Sequence, residues 1–212
     1  ATLWLGLYVK SRTSKKPESN ALALMLFAES AWSLFSAIQL FSPNSTWQIF
    51  WHSISFLAIV IIPTAWFIVV TNFTGFLKEP VARLQRYFFV VPILTLVALL
   101  TNSQHKFFFL TTNNVSYNGF SSLTFIPGSL FLVHTWYSYL LVFLGILLLG
   151  LALVRNFKKY GIQAYGLIFG ALAPLIGNVL YLSGAFPAGF PDPTPLAFTV
   201  TSITIAWAIF AG

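Results

Sequence analysis

The stretch His134–Val154, HTWYSYLLVFLGILLLGLALV, decides the class of fold, because its 21 residues include no Asp, Glu, Lys or Arg. A helix needs about 20 apolar residues to cross the hydrocarbon core of a bilayer. The rest of the chain has the same character: 58% of its 212 residues are hydrophobic, only 7% are charged, and the mean hydropathy is +0.83. A soluble domain carries about 25% charged residues. The sequence therefore indicates a multi-pass protein of the cell membrane, with the lipid bilayer as its first partner.

Six further apolar stretches predict a single domain, residues 1–212, folded as an all-α bundle of seven transmembrane helices. The first stretch is too short to span alone, so we expect the chain to begin inside its first helix. The last stretch reaches Gly212 without a closing basic cluster, so we expect more protein to follow it. The predicted helices cover residues 1–9, 21–41, 47–70, 87–101, 134–154, 162–184 and 195–212.

The basic residues predict the orientation of this bundle. Ten of the eleven Lys and Arg lie in three alternate loops, and only Lys106 lies on the opposite side. Cytoplasmic loops collect Lys and Arg, so we expect the N-terminus outside and the C-terminus inside. The net charge of +7 does not indicate nucleic-acid binding, because it is divided among short loops and no nucleic-acid motif is present. The ten are Lys10, Arg12, Lys15, Lys16, Lys78, Arg83, Arg86, Arg155, Lys158 and Lys159.

The long outer segment, residues 102–133, contains a hairpin signal. Tyr117-Asn118-Gly119-Phe120 places an Asn-Gly pair between aromatic residues, which is typical of a two-residue β-turn. We expect a small extracytoplasmic β-hairpin that caps the outer mouth of the bundle. The alternative is a loop in the headgroup region, where aromatic residues are common.

Glu29 is the one acidic residue inside a predicted span, with Trp32 on the next turn of the same face. An ionised Glu near mid-membrane costs a few kcal/mol on insertion scales. It is therefore protonated, paired or hydrated by a cavity. Either a neutral structural Glu or a functional one fits these requirements.

Most of the other polar residues of the spans lie in the outer half, contributed by five elements. Many are three apart, which places each pair on one helix face. A lone Tyr or His at this depth is an interface anchor, but several together predict an outward-opening pocket for a ligand. The predicted ligand-binding residues of this kind are His52, Asn102, His105, His134, Tyr137, Asn178, Tyr181, Asp192 and Thr194.

Pro63, Pro92 and Pro174 each lie inside a predicted span. A proline removes a helix hydrogen bond and tends to kink the helix. The kinks are either static packing features or hinges that let an outer event reach the inner ends.

Several kinds of chemistry are absent from the sequence. It has no Cys, phosphate loop, zinc-protease motif or nucleophile elbow, and no Lys inside a span that could bind retinal. The histidines are not at metal-ligand spacing, so we expect no metal and no cofactor.

An intramembrane enzyme that uses Glu29 with a histidine is disfavoured, since Glu29 lies too far inward from His52 and His134. A small-solute or lipid transporter is the alternative to a sensor, because broken helices also mark substrate paths.

The order of these features resembles the seven-helix N-terminal sensor region of membrane histidine kinases, over almost the whole chain. The family commonly has Leu between the Asp and Thr of its last motif, where this chain has Pro193. The chain contains no phosphoacceptor helix and no ATP-binding glycine box. The resemblance rests on Pro63-Thr64-Ala65-Trp66-Phe67, Pro92, Asn102, His105, Tyr137, Tyr139, Pro174, Asn178, Tyr181, Asp192-Pro193-Thr194-Pro195 and Phe198.

This resemblance implies an input domain without catalytic residues of its own, whose full-length form is a sensor histidine kinase. The domain is expected to bind a small extracytoplasmic or membrane-dissolved ligand, with Trp66 among the ligand-binding residues. Asp192 and Thr194 would cap the last helix, which would pass a conformational change to a cytoplasmic kinase or other output domain. The resemblance also implies a homodimer.

Overall fold

Helices account for 79% of the chain, and a small antiparallel sheet is inserted among them. The computed structural model describes residues 1–13, 17–117 and 120–211. Lys15, Lys16, the Asn118-Gly119 turn and Gly212 lie outside the described residues. The elements are α1 (Thr2–Thr13), α2 (Pro17–Leu40), α3 (Ser45–Ile59), α4 (Ile62–Thr74), α5 (Lys78–Leu84), a 3-10 turn (Gln85–Phe89), α6 (Val90–Leu100), α7 (Asn102–His105), β1 (Phe109–Tyr117), β2 (Phe120–Pro127), α8 (Ser129–Arg155), α9 (Phe157–Leu182) and α10 (Thr194–Ala211).

Five helical segments of the described chain are long and apolar enough to cross a membrane. A sixth apolar helix, Thr194–Ala208, is shorter. The predicted helical membrane protein is thereby confirmed, whereas the count of seven spans and the orientation stay predictions. The five segments are Asn20–Leu40, Ser45–Thr74, Lys78–Leu100, Ser129–Arg155 and Phe157–Leu182.

Two of the three prolines lie where a helix begins. In the predicted third span, α3 ends at Ile59 and α4 begins at Ile62 with Pro63 in its first turn, but Val60 and Ile61 between them keep helical φ and ψ, so the span is one helical path interrupted at the proline. The missing N–H of proline costs little there, since the first amides of a helix have no partner within it. Pro92 similarly follows the 3-10 turn and lies in the first turn of α6. Pro174 lies inside the continuous helix α9.

The predicted β-hairpin is confirmed as a two-stranded antiparallel sheet. Asn114 of β1 pairs with Leu123 of β2, and the register shifts between Phe109 and Thr111. Asn102 holds the start of β1: its Oδ1 accepts hydrogen bonds from the amides of Phe108 (2.9 Å) and Phe109 (3.1 Å). Its Nδ2 donates to the Phe109 carbonyl at 3.0 Å. The hairpin is therefore attached firmly to the end of α6 and α7.

Helices α9 and α10 pack against each other through Gly166 and Gly170, which are four residues apart. A Cβ on Gly166 would lie 2.5 Å from the Ala208 Cβ, so only glycine fits this contact. The Thr201 hydroxyl donates a hydrogen bond to the Gly170 carbonyl at 2.6 Å. Small residues at this spacing let helix backbones approach closely in membranes. The two helices therefore form a tightly joined pair.

Candidate ligand-binding cavity

A cavity of about 180 Å³ lies among α2, α3, α4, α8, α9 and α10. Strand β2 contributes Ser122, Leu123 and Phe125 to its lining, so the hairpin forms part of the wall. The cavity follows one face of α2, whose contributing residues recur every three or four positions as expected for a single helix face. These α2 residues are Met25, Glu29, Trp32, Ser36 and Gln39, and Leu40 at the end of the helix joins them.

Aromatic side chains make up much of the cavity wall. Trp66 of α4 lies against α8 and donates a hydrogen bond from Nε1 to the Val142 carbonyl at 3.3 Å. Gly145 makes room for this indole, because a Cβ there would lie 2.3 Å from the Trp66 Nε1. Trp32 and Phe198 meet edge to face with ring centroids 5.2 Å apart, which joins α2 to α10. The apolar part of a bound molecule would thus contact aromatic rings on several sides.

A chain of hydrogen bonds leads from the cavity to the first residue of α10. The Tyr139 hydroxyl of α8 donates to the Asn178 Oδ1 of α9 at 2.8 Å. The Asn178 Nδ2 donates to the Thr194 Oγ1 at 3.4 Å. The Thr194 amide in turn donates to the Asp192 Oδ1 at 2.9 Å. Three helices are thereby linked through side chains that line one cavity.

Asp192 satisfies an amide at the start of α10, as capping residues do. The Pro193 carbonyl accepts the first helical hydrogen bond, from the Ala197 amide at 3.1 Å, so Asp192 lies just before the helix. Burial raises the pKa of the Asp192 carboxyl, and its hydrogen bonds from Thr194 oppose that shift. A carboxylate here also interacts favourably with the positive end of the helix dipole.

Three side chains of the cavity wall carry buried polar atoms that have no partner among the described residues. They are the Glu29 Oε2, the His52 Nε2 and the His134 Nδ1. Glu29 is only 2% exposed and His134 only 5%. An unpaired buried polar group costs about 1–3 kcal/mol. Such a group indicates a place where a ligand or water completes the hydrogen bonding.

The structure brings seven of the ten predicted ligand-binding residues to this cavity. Pro63, Pro174 and Glu29 line it as well. Four of the five elements in the predicted polar pattern therefore contribute to one space, whereas the end of the predicted fourth span does not. The seven are His52, Trp66, His134, Asn178, Tyr181, Asp192 and Thr194.

The other three predicted ligand-binding residues support the surrounding structure. The Tyr137 hydroxyl donates to the Phe88 carbonyl at 2.6 Å, which ties α8 to the 3-10 turn. Asn102 holds β1, and the His105 Nδ1 accepts a hydrogen bond from the Phe107 amide at 2.8 Å. The sequence predicts a common depth for these side chains, but depth alone does not say which side of a helix faces the cavity.

Sequence reasoning missed several polar residues of the lining. Ser36 and Gln39 share the face of α2 that contains Glu29 and Trp32, and that spacing of three and four was the available signal. Ser138 and Tyr139 lie one turn beyond His134 on α8. Among the residues that the structure describes, no group of three or more His, Asp or Glu is placed to hold a metal ion.

The long apolar helices around this cavity are typical of a protein that crosses a membrane several times. The model of a family described as the N-terminal 7TM region of histidine kinase matches residues 1–212. The chain belongs to this family, and it is a multi-pass membrane protein. The comparison with curated proteins gave no match.

Proposed function

We propose that this chain is the signal-sensing input region of a membrane histidine kinase. A small extracytoplasmic or membrane-dissolved molecule binds in the cavity, and α10 passes the resulting change to a cytoplasmic output domain. The proposal includes seven membrane spans, an outer N-terminus and an inner C-terminus. Family membership supports the role as an input region, and the cavity supports the binding of a ligand.

The observation that carries this proposal is the hydrogen-bond chain from Tyr139 through Asn178 to Thr194. A ligand can shift a conformational equilibrium only through contacts that differ between two states. A molecule that displaces Tyr139 or Asn178 changes the bonds that hold the start of α10. The Ser33 hydroxyl also donates to the Pro195 carbonyl at 3.1 Å, which links the same helix start to α2. The start of α10 thus has hydrogen bonds with both α9 and α2, so a displacement of either helix would alter its contacts.

The experiment compares autophosphorylation by the natural full-length receptor, reconstituted in proteoliposomes, with that of Asn178→Ala and Thr194→Val. Both variants remove the link between α9 and α10, and Thr194→Val keeps the shape of the side chain. We expect a change in basal output of about fivefold or more, which is the lower end of usual allosteric couplings. Asn113→Ala, an exposed change on β1, is the matched control and should behave as the wild type. Unchanged output in both folded variants contradicts the proposal.

Transport of a small solute or lipid is the second candidate. The break between α3 and α4 favours it, because Ile59, Ile62 and Pro63 lie on the cavity wall and transporters place broken helices at their binding sites. A flux assay in the same proteoliposomes separates the two functions. Saturable uptake that stops in Asn178→Ala would favour the transporter.

A further inference from the structure

The ionisable Asp, Glu, Lys and Arg side chains in the described lining of the cavity are all acidic. Its described lining includes Glu29 and Asp192, two of the four acidic residues of the chain, but none of the eleven Lys and Arg. Asp192 is engaged by the Thr194 amide, whereas the Glu29 Oε2 has no described partner. A buried carboxyl without a cation is neutralised by a proton, so a positively charged guest is the partner that would hold Glu29 in its charged form.

Two of the three unpaired buried polar atoms of the described lining, the Glu29 Oε2 and the His52 Nε2, can accept a hydrogen bond, and the third is the His134 Nδ1. The His52 Nδ1 lies 3.3 Å from the Gln39 Oε1, which can only accept, so this contact requires the proton on Nδ1. The unpaired His52 Nε2 is then an acceptor, as is a Glu29 carboxylate. Asn178 uses its oxygen and one of its two N–H groups within the protein. The missing partner of the Glu29 and His52 atoms is therefore a hydrogen-bond donor.

Aromatic rings complete the environment that such a donor would enter. Trp32 and Trp66 line the cavity together with Phe56, Phe125 and Phe131. Aromatic rings, Trp above all, attract cations, by about 2 kcal/mol or more when the site is desolvated. A carboxylate beside aromatic side chains is a suitable environment for an ammonium group that carries an apolar body.

We propose that the cavity binds a small protonated organic amine, whose ammonium group donates to Glu29 while its apolar body packs against the aromatic wall. This proposal rests on the proposed function, because it names the ligand class of the same cavity. The volume of about 180 Å³ suits a ring with a short side chain, since a cavity of about 150 Å³ accepts benzene. An anion would meet two carboxyl groups without a Lys or Arg in the described lining. A wholly apolar molecule would leave the Glu29 Oε2 unpaired.

The test measures binding by isothermal titration calorimetry to the chain in nanodiscs of zwitterionic lipid, which do not attract amines by charge. The probes are phenethylamine, which is protonated at neutral pH, and phenethyl alcohol, its uncharged analogue. We expect saturable binding of the amine, about tenfold or more tighter than binding of the alcohol. Glu29→Gln, which keeps the size of the side chain, should remove this preference. Glu79→Gln, the same change at an exposed position on α5, should keep it.

Equal affinity for the two probes in the wild type overturns the assignment, and so does full retention of amine affinity in Glu29→Gln. The absence of saturable amine binding overturns it as well. If Glu29→Gln does not fold, Glu29→Asp provides the second variant, because it keeps the carboxyl group and should keep the amine preference. The autophosphorylation test above uses no added ligand. The amine assignment can therefore fail while the signalling role stands, and the reverse outcome is equally distinguishable.

Discussion

Tyr139 and Asn178 form a direct side-chain hydrogen bond of 2.8 Å between α8 and α9, at the wall of the cavity. The same Asn178 reaches the first residue of α10. This pair therefore links side chains of α8, α9 and α10 at the cavity wall, and the link can be tested apart from any ligand.

Removal of the Tyr139 hydroxyl should destabilise the protein and uncouple α8 from α9. We expect Tyr139→Phe to lower the free energy of unfolding by about 0.5–1.5 kcal/mol, the net worth of one hydrogen bond. A double-mutant cycle with Asn178→Ala, followed by thermal unfolding in detergent, measures the pairwise term. Tyr165→Phe, at an exposed site on α9, is the control. Additive effects of the two mutations would mean that the bond contributes nothing.

Gly145→Ala should disturb the packing of Trp66. The added methyl group would lie 2.3 Å from the indole nitrogen, which must then leave the Val142 carbonyl. Overpacking of this kind costs about 1–3 kcal/mol, and the fluorescence of Trp66 should shift. Gly150→Ala is the matched control on the same helix, because a Cβ there meets no described atom within 4 Å. Equal melting temperatures of the two variants would refute the role of Gly145.

Protonation of Asp192 should raise the free energy of unfolding as the pH falls. Its pKa is raised by burial in the folded protein above the ordinary value of 3.8, so the folded state holds the proton more tightly than the unfolded state. Above the raised pKa the carboxyl is charged, and burial of this charge destabilises the folded protein to its full extent. The destabilisation disappears as the pH falls below the raised pKa towards 3.8. Tyr139 and Tyr181 interact electrostatically with this carboxyl.

Asp192→Asn keeps the acceptor for the Thr194 amide and removes this titration. We expect the variant to equal or exceed the wild type in melting temperature at neutral pH, and the difference to shrink as the pH approaches 3.8. Melting curves of the wild type, this variant and the exposed control Glu79→Gln across the acidic range provide the measurement. A difference that widens on acidification would contradict the stated direction.

Asn102→Ala should loosen the start of the hairpin. The substitution removes the acceptor of two amides, those of Phe108 and Phe109, and each unsatisfied buried group costs about 1–3 kcal/mol. Hydrogen exchange of these two amides, followed by mass spectrometry, should accelerate. Gln104→Ala, an exposed neighbour on α7, should leave the exchange unchanged. Slow exchange in both variants would show that other contacts hold β1.

The sequence reveals the apolar helices and the hairpin because both depend on local patterns. The charge-free run His134–Val154 predicts most of α8, which extends over Ser129–Arg155. The interruption of the helix near Pro63 agrees with the expected effect of a proline inside a span, but the sequence alone does not give the residues at which α3 ends and α4 begins.

The composition of the cavity could be predicted only in part. Polar residues in the outer half indicate a pocket, and Asn178, Tyr181 and Asp192 do line it. Tyr137 was expected there in place of Tyr139, which lies two residues further on. A rotation of about 200° separates these neighbours on a helix, and the choice between the two faces depends on how α8 packs against α4 and α9. That packing is a property of the whole bundle and not of any one stretch of sequence.

The glycine contact between α9 and α10 limits how these two helices can move relative to each other. A piston-like slide of α10 alone would drive Ala208 and Thr204 past the bare backbone at Gly166 and break the bond from Thr201. The start of α9, away from the cavity, is itself tied to α4 through the bond from the Tyr160 hydroxyl to the Thr74 carbonyl at 3.1 Å. These contacts favour a joint tilt of α9 and α10 about that tie over a slide of α10 alone.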